Sequence, residues 1–264
     1  MPKNKLVVLL TDFGTSDGYV GAMRGAIMSV APECKILDIT HEVPQHDVFQ
    51  GAYLLDFAHG SFPGGTVFCV VVDPGVGTER KAIVVSAGDY LFVGPDNGVL
   101  WPAASSTGGA KAYDLPTPKD ASATFHGRDL FAPTAAKLAS GQLKIEELKP
   151  LTNWKSLDFG VLNELPDGSF AGAILSVDIF GNVVSNFSKA NWGTKLSTNS
   201  FELSVGPVKT SRLLRCYDEA KDNELFCLWG SGGLLELSLC QDSAAKHIGL
   251  KRRKEWPEVI LRFS

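Results

Sequence analysis

Three acids in this chain stand where an apolar run stops. Val67-Phe68-Cys69-Val70-Val71-Val72 ends in Asp73-Pro74-Gly75-Val76-Gly77, and Leu6-Val7-Val8-Leu9-Leu10 runs into Thr11-Asp12-Phe13-Gly14. Tyr90-Leu91-Phe92-Val93 runs into Gly94-Pro95-Asp96-Asn97-Gly98. Apolar, β-rich runs without polar alternation mark strands buried on both faces. Their carboxyl ends are where open α/β sheets bind ligands. A carboxylate there can hold hydroxyl groups, accept a proton or bind a cation. Plainer uses fit the same letters: Asp73 as the cap of a Pro-Gly turn, and Asp96-Asn97-Gly98 as a tight turn.

Other groupings also have chemical content. His126-Gly127-Arg128-Asp129 opens a helical pattern over 129–140. A helix N-terminus offers free N–H groups to negative charge, and histidine titrates near neutrality. An ordinary loop histidine and an Asp129 helix cap fit equally. Asp178-Ile179-Phe180-Gly181-Asn182 places an acid, an aromatic face and an amide within one short stretch. The amide can read the hydrogen-bonding edge of a base and the ring can stack on it. Trp229-Gly230-Ser231-Gly232-Gly233-Leu234-Leu235-Glu236 is a second such place. Both also read as hairpin turns.

These residues need elements to position them. After the first strand, Tyr19, Val20, Met23, Ala26, Ile27 and Val30 recur at helical spacing and Pro32 follows. A strand over 35–40, a helix over 47–59 and strands over 67–72, 82–86 and 90–93 come next. A Ser-, Gly- and Ala-rich soft stretch over 103–111 separates these from the helix at 129–140. Strands alternating with helices predict an α/β fold with a mostly parallel, doubly wound, Rossmann-like sheet. The spacing GxGxxG is absent, so a dinucleotide site is not expected. Pro150, Pro166 and Asp167-Gly168 break the pattern. They predict an N-terminal domain over 1–150, a linker over 151–168 and a C-terminal domain over 169–264. Short strands over 170–177, 183–187, 201–205, 225–229, 234–239 and 259–263 make that last domain a small antiparallel β-barrel or sandwich.

The 264 residues, 44% hydrophobic and 20% charged, have the composition of a soluble globular protein with a sizeable core. A net charge of -4 gives no reason to expect nucleic acid. Five cysteines without paired spacing imply neither a disulfide framework nor a zinc site. They suit a reducing cytoplasm, and Cys69 reads as a small buried hydrophobe. The apolar run at 6–10 is too short for a signal peptide, and no run reaches the length of a membrane span.

Taken in order, these motifs resemble the S-adenosyl-L-methionine (SAM) hydroxide adenosyltransferases, relatives of the SAM-dependent fluorinase and chlorinase. The resemblance spans nearly the whole chain. It rests on Thr11-Asp12-Phe13-Gly14, on Asp73-Pro74-Gly75-Val76-Gly77 with Arg80 beyond it, on Gly94-Pro95-Asp96-Asn97-Gly98, on His126-Gly127-Arg128-Asp129 and on Phe180-Gly181-Asn182. It implies an N-terminal α/β domain, a C-terminal β-barrel domain, and a homotrimer with active sites between neighbouring subunits. The Asp, Arg and His trio of the hydrolytic branch falls on Asp73, Arg80 and His126. The same motifs imply that Asp12 holds the ribose hydroxyls and Asp178 the methionine amino group. Phe180 and Asn182 would meet the adenine, with the Ser231 loop and the strand from Glu236 to Leu239 nearby. His46 and Val184 depart from the halogenases, which have tryptophan at both places. SAM is the substrate here, and neither a cofactor nor a metal is implied.

The implied reaction is SAM plus water giving adenosine and L-methionine. Asp73 and His126 are expected to orient the water and accept its proton, with Arg80 fixing Asp73. Polar side chains around the nucleophile favour water over a halide, which needs a desolvated pocket without a base. A chlorinase-like halogenase is the nearest alternative. The acids Asp12, Asp17, Asp73 and Asp96 read without the resemblance as a Mg²⁺ site for phosphoester hydrolysis. A non-catalytic SAM- or nucleoside-binding module is the third alternative.

Overall fold

The computed structural model describes residues 5–160, 162–251 and 253–264. The chain divides into two compact units, Met1–Leu157 and Asp158–Ser264. The first is a three-layer α/β arrangement. Its strands are β1 (Leu6–Thr11), β2 (Lys35–Thr40), β3 (Val67–Val71), β4 (Ala82–Ala87), β5 (Tyr90–Pro95), β6 (Lys111–Leu115) and β7 (Lys149–Leu151). They form one sheet in the order β2-β1-β3-β5-β4-β6-β7. Helices α1 (Tyr19–Val30), α2 (Val48–His59), α3 (Trp101–Thr107) and α4 (Ala132–Ser140) cover it.

Alternation along β3 explains the two helical layers, because successive strand residues point to opposite faces. Val67, Cys69 and Val71 join Met23 and Ile27 of α1 and Ala132, Ala135 and Ala136 of α4 in one buried cluster. Phe68 points the other way and stacks on Phe92 of β5, with His59 of α2 edge-on to both rings. Every residue of β3 is buried, as its unalternating sequence requires.

The sheet is mixed rather than mostly parallel. The neighbours β2-β1, β1-β3 and β3-β5 run parallel, whereas β5-β4, β4-β6 and β6-β7 run antiparallel. The cause is local. Only Gly88 and Asp89 separate β4 from β5, room for a hairpin but not for a crossover helix. The soft stretch at 103–111 also differs from expectation, since α3 occupies Trp101–Thr107 with Pro102, Ala103 and Ala104 buried. Pro102 near the first position and the two alanines suit a helix start, whatever the serines that follow. Pro150, which breaks the helical pattern in the sequence, lies in β7, where an edge strand tolerates its missing N–H.

The second unit is built from short antiparallel strands: β8 (Asn163–Glu164), β9 (Phe170–Gly172), β10 (Ile174–Val177), β11 (Val183–Ser188), β12 (Phe201–Val205), β13 (Val208–Thr210), β14 (Leu225–Trp229), β15 (Leu234–Leu239) and β16 (Val259–Phe263). Two short helices, α5 (Lys189–Thr198) and α6 (Ala244–Ile248), accompany them. Two sheets result, β10-β11-β15-β14 and β13-β12-β16-β9-β8, and among the described residues they are not one closed barrel. The chain passes from one sheet to the other at Ala173, the single residue between β9 and β10. Asn186 fixes that corner: its side-chain oxygen accepts the Ala173 N–H at 2.8 Å, and its own N–H donates to Ala173 O at 3.0 Å. Strands that switch sheets by a bend are a known way to turn corners in such packings.

Candidate active site

Strand register brings two of the acids together. In the β1–β3 pair Thr11 lies opposite Val71. Asp12 and Asp73 therefore leave adjacent parallel strands at the same edge of the sheet. The two readings of Asp73, turn cap and ligand group, are compatible. Its Oδ1 accepts the Gly75 N–H at 3.2 Å, which closes the turn. Arg80 returns to the same carboxylate: Nε lies 3.0 Å from Oδ1 and 2.9 Å from Oδ2, and Nη2 also donates to Oδ2. Both side chains are almost wholly buried, 4% exposed for Asp73 and 6% for Arg80. The face of Phe131, 5.2 Å from the guanidinium carbon, supports Arg80 from behind.

Arg80 also reaches His126, whose Nδ1 lies 2.9 Å from Nη2. A guanidinium only donates, so Nδ1 is the acceptor and the ring's proton sits on Nε2. Burial, and then the neighbouring Arg80 charge, hold the His126 pKa below its ordinary value, against the opposing pull of Asp73 and Asp129. His126 is thus a neutral, buried imidazole. Arg80 Nη1 is buried with no partner among the described residues.

Local sequence explains why His126 stands there. It caps a wide π-helical turn, Gly127–Phe131, that leads into α4. Pro133 has no N–H for the Asp129 carbonyl four residues back, and one residue earlier the Ala132 N–H bonds to Gly127 O, five residues back, which makes the turn wide. Asp129, a candidate helix cap, instead accepts the Ser122 N–H at 2.9 Å and pairs with Arg128, tying down the loop before His126. Gly77, with φ of 75°, lets the Asp73 turn approach this loop. A Cβ there would lie 2.5 Å from Ala123 O.

Asp12, Asp73 and His126 line one cleft of about 270 Å³, with Phe13, Asp17, Tyr19, Gln45, His46 and Phe125 among its other walls. Asp12 Oδ2 accepts the His46 N–H at 2.8 Å. The rings of Phe13, Tyr19 and Phe125 touch one another in a tilted trio, an apolar wall that sequence reading did not single out. Asp96 lies elsewhere. It is buried and accepts the Lys155 N–H at 2.7 Å, while Asn97 donates to Val72 O at 2.8 Å and so anchors the strand end that bears Asp73. Among the described residues no three His, Cys, Asp or Glu side chains are grouped to hold a metal ion; of the acids considered for Mg²⁺, Asp12, Asp17 and Asp73 line the cleft and Asp96 does not.

The second unit holds its own polar cluster. Asp178 Oδ1 accepts the N–H groups of Phe180 and Asn182, and Oδ2 accepts from the Asn182 amide at 2.8 Å. That amide also donates to the Tyr217 hydroxyl at 3.1 Å, a partner that no spacing in the sequence indicates. Asn182 is buried, whereas the Phe180 ring is 76% exposed and free to stack. Val184 pairs with Glu236 across β11 and β15 and is buried in that sheet. Burial, and then the Asp178 charge, raise the Glu236 pKa. Its carboxyl packs where a Cβ on Gly230 would stand, beside Ser231. Leu239 ends β15 and is buried in the core.

Two family models match this chain: the SAM hydroxide adenosyltransferase N-terminal domain over residues 7–149 and its C-terminal domain over 172–257. The chain belongs to the SAM hydroxide adenosyltransferase family. A relative from Salinispora arenicola named "(R)-S-adenosyl-L-methionine hydrolase" is 38% identical over 93% of this chain and 94% of its own. A fluorinase from Nocardia brasiliensis is 26% identical over 78% of this chain and 83% of its own. A crystal structure of an uncharacterized conserved protein from Thermotoga maritima has a TM-score of 0.86 and 34% identity, covering 97% of this chain and 99% of that one. This member of the family carries one buried Asp73–Arg80–His126 chain in its N-terminal domain.

An NMR titration of the His126 ring tests the electrostatics of that chain. Its pKa should lie below about 6.5. Arg80→Gln should raise it while leaving it low, because burial is the larger cause. The folded ring then binds fewer protons than the unfolded one as pH falls through that window, so stability declines toward acid pH. A titration at or above the ordinary value would contradict a neutral His126.

Proposed function

We propose that this protein hydrolyses SAM to adenosine and L-methionine, with water or hydroxide attacking the ribose C5'. The observation that carries the reading is the Asp73–Arg80–His126 chain beside Asp12 in one cleft, in a family whose relatives include proteins named for SAM hydrolysis. A C5'–O bond forms and the C5'–S bond breaks. The electron pair neutralises the sulfonium and the water gives up one proton. The leaving group is already cationic, so no acid need protonate it. Alignment of the attacking oxygen can supply up to roughly 7–11 kcal/mol, and a positioned base about 10²–10⁴-fold.

In this reading Asp73 and His126 orient the water and one of them takes its proton. Each Asp73 oxygen already receives two donors, so accepting a proton there requires one of them to let go. Because Nε2 already carries the ring's proton, acceptance at His126 falls on Nδ1 and requires that nitrogen to surrender its Arg80 contact. Asp12 holds the ribose hydroxyls. Asp178 takes the methionine amino group, and Phe180 and Asn182 take the adenine, with Ser231, Glu236 and Leu239 nearby.

The finer architecture belongs to the same proposal: a Rossmann-like domain over 1–150, a linker over 151–168, a barrel-type domain over 169–264, a homotrimer and a cytoplasmic setting. No described helix is long and apolar enough to cross a membrane. SAM, adenosine and methionine are the small-molecule partners, and the reaction as written needs no cofactor or metal.

Incubation with SAM in chloride buffer, followed by chromatography, should yield adenosine and methionine in equal amounts. Asp73→Ala should reduce both by at least about 10²-fold. Adenosine no higher than in that variant would sink the reading, and 5'-chloroadenosine would point to the halogenase branch. Sedimentation should give three times the 28.3 kDa chain mass, and a monomer would refute the trimer.

A further inference from the structure

His41 takes no part in the Asp73–Arg80–His126 chain, yet its imidazole is only 4% exposed, with Nδ1 hydrogen-bonded and Nε2 near a carboxylate but without a hydrogen bond among the described residues. Nδ1 lies 2.8 Å from Thr11 Oγ1, and Nε2 approaches Asp38 Oδ1 to 3.1 Å. Arg24 pairs with the same Asp38 carboxylate. The Asp38 charge beside Nε2 favours a proton there, although no hydrogen bond joins the two, and Nδ1 then accepts from the Thr11 hydroxyl. The lone pairs of that hydroxyl then face the Phe13 N–H, 3.3 Å away. The order of groups is that of a nucleophile–His–Asp relay. Thr11, however, is fully buried, so no substrate can reach its hydroxyl.

Everything this relay holds flanks Asp12. Thr11 precedes it and Phe13 follows. The His41 carbonyl accepts the Gly14 N–H at 2.7 Å, and the Val43 N–H approaches Thr11 O at 3.4 Å. The N–H that binds Asp12 itself belongs to His46, in the same loop. The ring and backbone of His41 thus grip the chain on both sides of an acid in the cleft.

We infer that His41, backed by Asp38, is a positioning residue that fixes the Asp12 carboxylate for the ribose hydroxyls through Thr11. The inference rests on the assignment of Asp12 to the ribose. A histidine that only filled the core would matter for stability alone. One that aims Asp12 matters for turnover, because misplacement of a bound group by about 1 Å costs about 10²-fold in rate.

The test is a double-mutant cycle on SAM hydrolysis, with folding monitored by circular dichroism. His41→Ala should lower kcat/KM by about 10–100-fold, more through kcat than through KM. His41→Asn, whose amide oxygen can take the place of Nδ1, should recover most of the loss. In an Asp12→Ala background His41→Ala should have no further effect, because the two act through one element. Should His41→Ala fail to fold, Asp38→Asn on the partly exposed strand edge takes its place in the cycle, with a smaller loss that also vanishes without Asp12. Wild-type kinetics for His41→Ala, or losses that multiply in the double variant, would overturn the inference and leave the ribose assignment intact. Asp12→Ala with unchanged kcat and KM would instead sink the ribose assignment, and the inference with it.

Discussion

The site depends on one buried guanidinium. Arg80 is nearly without solvent, so its charge must be compensated where it stands, and Asp73 does this through a two-pronged contact that fixes both side chains. A buried pair of this kind adds little net stability, but removing either partner strands the other as an uncompensated charge. Its structural effect reaches further than the pair. With its planar fork anchored on Asp73 and its face against Phe131, Arg80 has an Nη2 that selects the tautomer of His126. Asp73, Arg80 and His126 therefore act as one unit, and no member keeps its geometry alone.

The fold serves this unit by bringing distant segments to one sheet edge. Adjacent parallel strands deliver Asp12 and Asp73 to the same sheet end, one residue apart in register. The Asn97 amide anchors the end of β3, and Gly77 lets the turn that follows touch the loop before His126. The π-turn at Gly127–Phe131 widens the helix start and supplies Phe131 to Arg80.

The strand ends could be read from sequence because the signal is local. An apolar run such as 67–72 admits few structures, and an acid followed by Pro and Gly marks where it stops. The sheet's mixed direction was harder to see, since β4 and β5 look alike whichever way they run and only the two-residue gap betrays the hairpin. The helix at Trp101–Thr107 hid behind serines whose turn preference is overridden by burial of Pro102, Ala103 and Ala104. Asp73, Arg80 and His126 were named together through the resemblance, not through their spacing. His41, Tyr217 and the Phe13–Tyr19–Phe125 wall carry no local mark at all. Their roles arise from contacts between segments far apart in the chain, which no single window contains.

The proposed reaction turns on which carbon the water attacks. Turnover of SAM in water enriched in heavy oxygen, with mass spectrometry of the products, reads this directly. Attack at C5' puts the label in the 5'-hydroxyl of adenosine and leaves methionine unlabelled. Labelled homoserine with methylthioadenosine would place the attack on the methionine side of sulfur and contradict the account.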